Sequence, residues 1–304
     1  MSSNTYPNEQ ELKSIVHQLA TDSQQGSMCH VRYGNEPLPS PDAIHEIVAL
    51  CRQLLFPGFF GAEQVNSYNL EYIIGLKCER LKTLLESQIV AALLFVQPCD
   101  YHPCADMRAQ AQLVATRLIA ALPQLRRVLQ TDVEAIYNGD PAVTHIQEVI
   151  YCYPSIKAII NYRIAHELLL ADVPILPRMI SELAHSETGI DIHPAAQIGH
   201  HFAMDHGTGV VIGATAIIGN HVKLYQGVTL GALSFDLDEG GNPVKGVPRH
   251  PIIGNHVVIY SNASVLGRIT VGDGAIIGGN IWVTTNVAAG EKIVQGAKIT
   301  ETNR

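Results

Sequence analysis

The stretch Ile253-Gly-Asn-His-Val-Val-Ile259-Tyr-Ser-Asn-Ala-Ser-Val265-Leu-Gly-Arg-Ile-Thr-Val271-Gly-Asp-Gly-Ala-Ile-Ile277-Gly-Gly-Asn-Ile-Trp-Val283 carries an aliphatic residue at every sixth position without a slip. The same spacing runs upstream through Ile192, Ile198 and Met204, and then through Ile212, Ile218, Leu224 and Leu230. Glycine often follows, as at Gly199, Gly213, Gly219, Gly231, Gly254, Gly272 and Gly278, and a small or branched residue sits four places after the aliphatic one, as at Ala216, Val222, Val228, Val257, Ala263, Ala275 and Val287. A six-residue period matches neither a helix nor simple alternation. It fits a triangular prism, in which one aliphatic side chain per six residues points to a narrow axis and stacks on its equivalent one coil earlier, while glycine permits the turn that follows. Three such units close one coil, about four coils are counted, and each coil buries its face on its neighbours. Ordinary strands spaced by six through chance explain a run over about a hundred residues poorly.

The rest of the chain has another character. Of 25 glycines in 304 residues, 6 fall in residues 1–186 and 19 in residues 187–304, which divides the polypeptide into two domains at that point. Hydrophobic residues make up 47% and charged residues 16%, a composition that excludes general disorder and leaves a lightly charged surface, part of it expected to be covered by oligomerisation. The net charge of −8 argues against a nucleic-acid-wrapping protein. Cys29, Cys51, Cys78, Cys99, Cys104 and Cys152 lie in the glycine-poor part at irregular spacing, which reads as free thiols in a reducing cytoplasm. The start lacks a basic segment followed by an apolar one, and the longest apolar run, Ile89 to Val96, is too short for a membrane span. A cytoplasmic protein with no membrane association is expected.

Residues 1–186 read as helices, about six to eight of them. Leu12, Ile15, Val16 and Leu19 recur at helical spacing, as do Ile44, Ile47, Val48, Cys51, Leu54 and Leu55 behind the start signal Ser40-Pro41-Asp42. Further helices are expected from Met107 to Leu122, stopped by Pro123, from Leu125 to Tyr137, stopped by Asn138-Gly139, and from Pro154 to Ala171. Cys99-Asp-Tyr-His102-Pro-Cys104 lacks the further ligands that a zinc site needs and reads as an interhelical loop. Tyr162-Arg163-Ile164-Ala165-His166 reads as a packed or solvated helix face.

Two breaks in the six-residue period draw attention, because local rules fail most often at functional sites. Between Met204 and Ile212 two extra residues fall in Asp205-His206-Gly-Thr-Gly, and between Leu230 and Ile253 an extended loop at 233–250 returns through Pro248-Arg249-His250-Pro251. His206 stands on tightly turned backbone beside an acid, and Asp191 lies fifteen residues earlier, a little under one coil. A carboxylate near one imidazole nitrogen leaves the other as a base near neutral pH. Arg249-His250 offers a fork for a carboxylate and a second titratable ring. Taken singly, each is more often a surface polar residue; their joint position at the breaks favours function. The histidines His185, His193, His200, His201, His206, His221, His250 and His256 fit no simple metal-ligand spacing, so no metal is expected.

Four phrases carry a likeness: Asp191-Ile-His-Pro-Ala-Ala-Gln-Ile-Gly, Met204-Asp-His-Gly-Thr-Gly-Val-Val-Ile-Gly, Gln226-Gly-Val-Thr-Leu-Gly and Arg249-His-Pro. Together they resemble the serine O-acetyltransferases of cysteine biosynthesis, a branch of the hexapeptide-repeat acyltransferases, over about Asp140 to Ala289. The resemblance implies an α+β fold, an N-terminal all-α helical domain followed by a left-handed parallel β-helix that forms a homotrimer or a dimer of trimers. It implies transfer of acetyl from acetyl-CoA to the hydroxyl of L-serine. By match to the family motif, His206 is the general base and Asp191 orients it. Asp205 and Asp140 hold the substrate ammonium, and Arg249 and His250 its carboxylate. Gly231, Ala232, Ser261, Gly278 and Gly279 match positions that contact CoA in a groove between neighbouring β-helices. Inhibition by L-cysteine through the serine site is also implied.

Three departures qualify the match. Gly231-Ala232-Leu233-Ser234 replaces the usual Gly-Gly-Thr-Gly, the chain stops soon after the last coil at Thr300-Glu-Thr-Asn-Arg304, and the N-terminus is extended. The short C-terminus argues against a cysteine synthase complex, which the family's longer tail mediates. Two other readings are an acetyltransferase for a different hydroxyl or amine, such as that of a sugar, and a non-catalytic solenoid that binds an amino acid. A sugar enzyme needs no ammonium site and a scaffold needs no His206.

Overall fold

The structure, a computed structural model, describes residues 8–25, 37–98, 102–234 and 237–295. Cys29, Cys99 and the C-terminal Thr300–Arg304 lie outside them. From Asp191 onward the chain is a parallel β-solenoid of about five turns.

The six-residue pattern maps onto three ladders of two- and three-residue strands. Ile192, Ile212, Leu230, Val265 and Val283 pair in register on the first face. Ile198, Ile218, Ile253 and Val271 form the second, and Met204, Leu224, Ile259, Ile277 and Ile293 the third. All but the half-buried Ile198 and Ile293 are buried, and so are Ala216, Val222, Val228, Val257, Ala263, Ala275 and Val287 four places on. Each buried aliphatic rung stabilises the stack by about 1.5–3 kcal/mol. The sequence count of about four coils falls short because the last coil drops two residues. Val287 pairs with Val271 and Ile293 with Ile277, sixteen residues on rather than eighteen.

The faces meet at three edges, and all the irregular chain is there. The first edge, between the third and first faces, carries His206–Val210, Gln226–Val228, Tyr260–Ala263 and Gly278–Ile281. The second edge, between the first and second faces, carries His193–Ala196, Gly213–Ala216, the extended loop and Gly267–Ile269. The third carries Gly199–Phe202, Gly219–Val222, Gly254–Val257 and Gly272–Ala275.

Ahead of the solenoid the described residues form seven helices: α1 (Glu9–Gln25), α2 (Pro41–Leu55), α3 (Leu70–Phe95), α4 (Ala105–Gly139), α5 (Ile146–Cys152), α6 (Pro154–Leu170) and α7 (Leu176–Thr188). Ser40 caps α2 as its sequence indicates, its hydroxyl accepting from the Ala43 N–H at 3.3 Å with Pro41 in the first turn. Pro123 does not stop a helix, contrary to the sequence expectation. The buried face of α4, Val114, Leu118, Leu122, Leu125, Leu129, Val133 and Ile136, stays in phase across it, while Pro123 itself faces solvent. That continuous burial outweighs the roughly 3 kcal/mol that an interior proline costs.

The second half of α4 lies along the first coil. The Thr131 hydroxyl accepts from the His201 N–H at 3.0 Å, and Asp132 accepts from the Phe202 N–H at 2.9 Å. Arg163 on α6 pairs with the fully buried Asp132 at 2.7 Å and donates to the Gly199 carbonyl at 2.9 Å. Tyr162 donates to the Ala196 carbonyl at 2.7 Å, and a ring nitrogen of His166 bonds the Pro194 carbonyl at 2.7 Å. The Tyr162 to His166 segment is therefore a packed face that holds helices and solenoid together. No described helix is long and apolar enough to cross a membrane.

Removing one partner of the buried pair leaves an uncompensated charge, which costs about 3–5 kcal/mol. Asp132→Ala is expected to lower the urea-unfolding free energy by that amount, whereas Asp106→Ala, at the exposed start of α4, is expected to change it by less than about 0.5 kcal/mol.

Candidate active site

The first period break folds into a polar cluster on the first edge. His206 has a left-handed backbone, φ +58°, followed by Gly207 at φ +84°. This turn throws the imidazole outward, where it is 75% exposed. One oxygen of Asp205 lies 3.8 Å from His206 Nε2, and the other accepts from Lys223 Nζ at 3.1 Å. Lys223 also donates to the Gly139 carbonyl at 2.7 Å, and Gly139 is the last residue of α4. The next residue, Asp140, lines a small hollow with Ile136, Met204, Asp205 and Lys223. Asp140 accepts from the Tyr153 hydroxyl at 2.6 Å and from the Ala142 N–H at 2.8 Å. These two bonds, with the charges of Lys223 and His206 behind them, hold its carboxyl below the usual range. Burial opposes the Lys223 ammonium, but Tyr225 and Asp205 outweigh it and raise its pKa. The cluster thus presents an exposed imidazole next to two carboxylates, one already paired with a lysine.

The second edge holds the other half. Thr215 is its hub: the hydroxyl accepts from the N–H groups of Arg249 at 2.9 Å and His250 at 3.1 Å. It lies 2.8 Å from His250 Nδ1, which also accepts from the Thr215 N–H at 3.1 Å. With Nδ1 an acceptor, the neutral ring carries its proton on Nε2. Burial, with the charges of Arg249 and Arg268 nearby, pushes the His250 pKa down to about 4. The ring is packed against Gly213, where any side chain would collide with it. Arg249 lines a cleft with Leu233, Val247, Pro248 and Leu266 under the extended loop.

The family resemblance assigns Asp140 and Asp205 to one ligand group and Arg249 and His250 to another; the structure brings Asp140 and Asp205 together beside His206, and keeps Arg249 with His250. It does not join the two groups within one chain, because the first face separates the two edges. Asp191 lies on that face, close to Glu182 and His185. Among the described residues no hydrogen bond links Asp191 to His206, whose nearest carboxylate is Asp205. Ser261, Gly278 and Gly279 lie farther along the first edge from His206; Gly231 ends a first-face strand where the second edge begins, and Ala232 follows on that edge. Gly279 is pressed against the coil before it, where a Cβ would lie 3.1 Å from the Ser261 carbonyl. Lys223, Tyr153 and Thr215 escaped the sequence reading. Lys223 and Thr215 sit in period with ordinary repeat positions, and Tyr153 is one of several tyrosines flanking helices.

Comparison with known proteins fixes the family. No family model matches the chain. A plasmid-borne serine acetyltransferase of Synechococcus elongatus is 46% identical over 288 residues, which cover 93% of this chain and 90% of that protein. The chain belongs to the serine acetyltransferase family. Among solved structures, serine acetyltransferase 1 of Entamoeba histolytica in complex with L-cysteine superimposes with a TM-score of 0.72 at 35% identity, covering 93% of this chain and 97% of that one. The Neisseria gonorrhoeae serine acetyltransferase in complex with serine gives a TM-score of 0.54 at 26% identity, over 87% of this chain and 98% of that one. After Leu230 the chain folds back so that Leu233 packs over Gly267, a Cβ on which would meet it at 3.3 Å.

The depressed pKa of His250 has a stability consequence. The unfolded imidazole takes up a proton near pH 6.5 and the folded one only near pH 4, so the stability due to the neutral ring is present above pH 6.5 and lost as pH falls toward 4. The full loss is about 3 kcal/mol. His250→Gln is expected to flatten the unfolding free energy against pH between 6.5 and 4 by that order, read from urea titrations of the two proteins at each pH.

Proposed function

We propose that the chain transfers the acetyl group of acetyl-CoA to the hydroxyl of L-serine, giving O-acetyl-L-serine and CoA, the first step of cysteine biosynthesis. The observation that carries this is the exposed His206 flanked by the carboxylates of Asp205 and Asp140. An imidazole so placed removes the proton from the serine hydroxyl as its oxygen attacks the thioester carbonyl. Asp140 and Asp205 face the ammonium of the substrate. Asp205 also lies near enough to stabilise the imidazolium that forms, and Asp191 stands on the neighbouring face as the orienting acid that the family motif assigns. Arg249 and the Nε2–H of His250 receive the substrate carboxylate. Buried and neutral, His250 offers a donor whose direction is set by Thr215.

A zwitterion of serine's size cannot span two edges of one prism. A homotrimer in which the first edge of one chain meets the second edge of the next supports both halves at once, and it puts Ser261, Gly278 and Gly279 opposite Gly231 and Ala232 across an interchain groove for CoA. Residues 1–186 and 187–304 serve in this reading as a helical positioning domain and a catalytic solenoid. L-Cysteine carries the same ammonium and carboxylate as serine and competes for them. The free thiols of Cys51, Cys78, Cys104 and Cys152 support a cytoplasmic setting.

Thiol release from acetyl-CoA in the presence of L-serine tests the reaction. His206→Ala is expected to reduce kcat/KM about 10²–10⁴-fold, the usual worth of a general base. Serine-independent release, or an undiminished rate in the variant, contradicts the assignment; added L-cysteine is expected to raise the apparent KM for serine.

Subunit mixing tests the shared site. His206→Ala and Arg249→Ala chains, each inactive alone, are expected to regain about a quarter of wild-type activity after co-refolding in equal amounts, since one interface in four then pairs two intact edges. No recovery in trimers shown by mass spectrometry to be mixed would place both halves in one chain.

A further inference from the structure

The third edge has no part in the reaction proposed above, and it carries a column of histidines. His201, His221 and His256 occupy the same corner of three successive coils, at φ +55°, +58° and +57°. Glycine or asparagine adopts this left-handed backbone more cheaply, and the next corner of the column is indeed Gly274 at φ +68°. The rings stack along the edge, His201 on His221 at 4.1 Å and His221 on His256 at 4.6 Å between centroids. His200 adds a fourth ring, with its Nδ1 2.7 Å from Nδ1 of His201.

Two imidazole nitrogens at that distance attract only if one proton lies between them, so their lone pairs converge on one small volume. One ring nitrogen each of His200, His201 and His221 lies within 4.8 Å of the others. A tetrahedral zinc ion with Zn–N bonds of about 2.0–2.1 Å needs nitrogens about 3.3 Å apart. The His200 and His201 nitrogens are already closer than this and the His221 nitrogen lies within 4.8 Å, and His200 and His221 are exposed enough to turn into place. The linear spacing hid this set, because His201 and His221 are one twenty-residue coil apart. The backbone is already fixed: the His221 N–H donates to the His200 carbonyl at 3.0 Å, and the His200 N–H to the Asn220 side chain at 3.0 Å.

We propose that His200, His201 and His221 form a binding site for a divalent transition-metal ion of the imidazole-preferring kind, such as zinc, nickel or cobalt. Three protein ligands leave one position to water. The ion replaces the proton shared by His200 and His201 and ties the first coil to the second. It does so where α4 docks, since the His201 N–H is held by Thr131. The site is therefore a brace for the helix–solenoid junction, remote from both catalytic edges.

The test uses the full-length protein without a histidine tag, stripped with EDTA and titrated calorimetrically with zinc chloride. Binding of one equivalent per chain is expected, together with visible cobalt absorption typical of four- or five-coordinate nitrogen ligation. Zinc is expected to raise the thermal midpoint by several degrees. His201→Asn and His221→Asn keep a residue that tolerates the left-handed corner, and each is expected to weaken zinc binding at least tenfold and abolish the thermal shift. His185→Asn, at the Glu182 and Asp191 cluster, is expected to leave both unchanged. No binding to the wild type, equal affinity in the two corner variants, or loss in the His185 variant instead would overturn the proposal.

Discussion

The narrow axis of the prism admits one aliphatic side chain per strand, and most of the molecule follows from that limit. A rung such as Ile212, Leu230 or Val265 fits only if its neighbours in the adjacent coils are of similar size and in register. Polar chemistry therefore cannot enter the solenoid and is expelled to the three edges. The strands themselves are two or three residues long, so every outward position lies close to a corner. Two residues inserted into a coil, as at His206, cannot be absorbed by the ladders and must project at an edge.

The helical layer gives direction to an otherwise repetitive rod. Thr131 and Asp132 of α4 bind two consecutive backbone amides of the first coil, and from there the helix runs along the strand Ala203–Asp205. Its C-terminus thus delivers Gly139 and Asp140 to the end of that strand. The carbonyl of Gly139 holds Lys223, Lys223 holds Asp205, and Asp205 faces His206. A buried ion pair at one end of the strand and a polar relay at the other set the spacing of the two carboxylates. The helices are in this sense part of the site, to which they bring Ile136, Gly139, Asp140 and Tyr153.

The fold was legible in the sequence because the six-residue period has a single packing solution. What stayed hidden is what period alone does not encode. Pro123 reads as a stop, yet the apolar face of α4 continues in phase on either side and burial decides. The last coil, shortened by two residues, escapes a count by sixes. In the site, His206, Asp205, Arg249 and His250 announced themselves by lying at breaks. Lys223 and Thr215 occupy regular repeat positions, so only the fold shows that one neutralises Asp205 and the other fixes the tautomer of His250. His201 and His221 were hidden by distance along the chain, which the coil length cancels.

The charge balance of the two half-sites argues for their substrate. On the first edge Lys223 offsets one of the two carboxylates, Asp140 and Asp205, leaving a single excess carboxylate for a single ammonium. If Lys223 were apolar, two unshielded carboxylates would repel each other and raise the pKa of one of them, weakening the ammonium site it was meant to form. On the second edge Arg249 supplies a positive charge, and His250, kept neutral by burial and by nearby arginines, adds a donor without adding charge. A cationic His250 beside Arg249 and Arg268 would cost self-repulsion. The two edges thus carry opposite net charge, as the ammonium and carboxylate of the proposed serine substrate require. A sugar hydroxyl brings no opposite charge to either edge, and that is a physical basis for discrimination between the two kinds of acceptor.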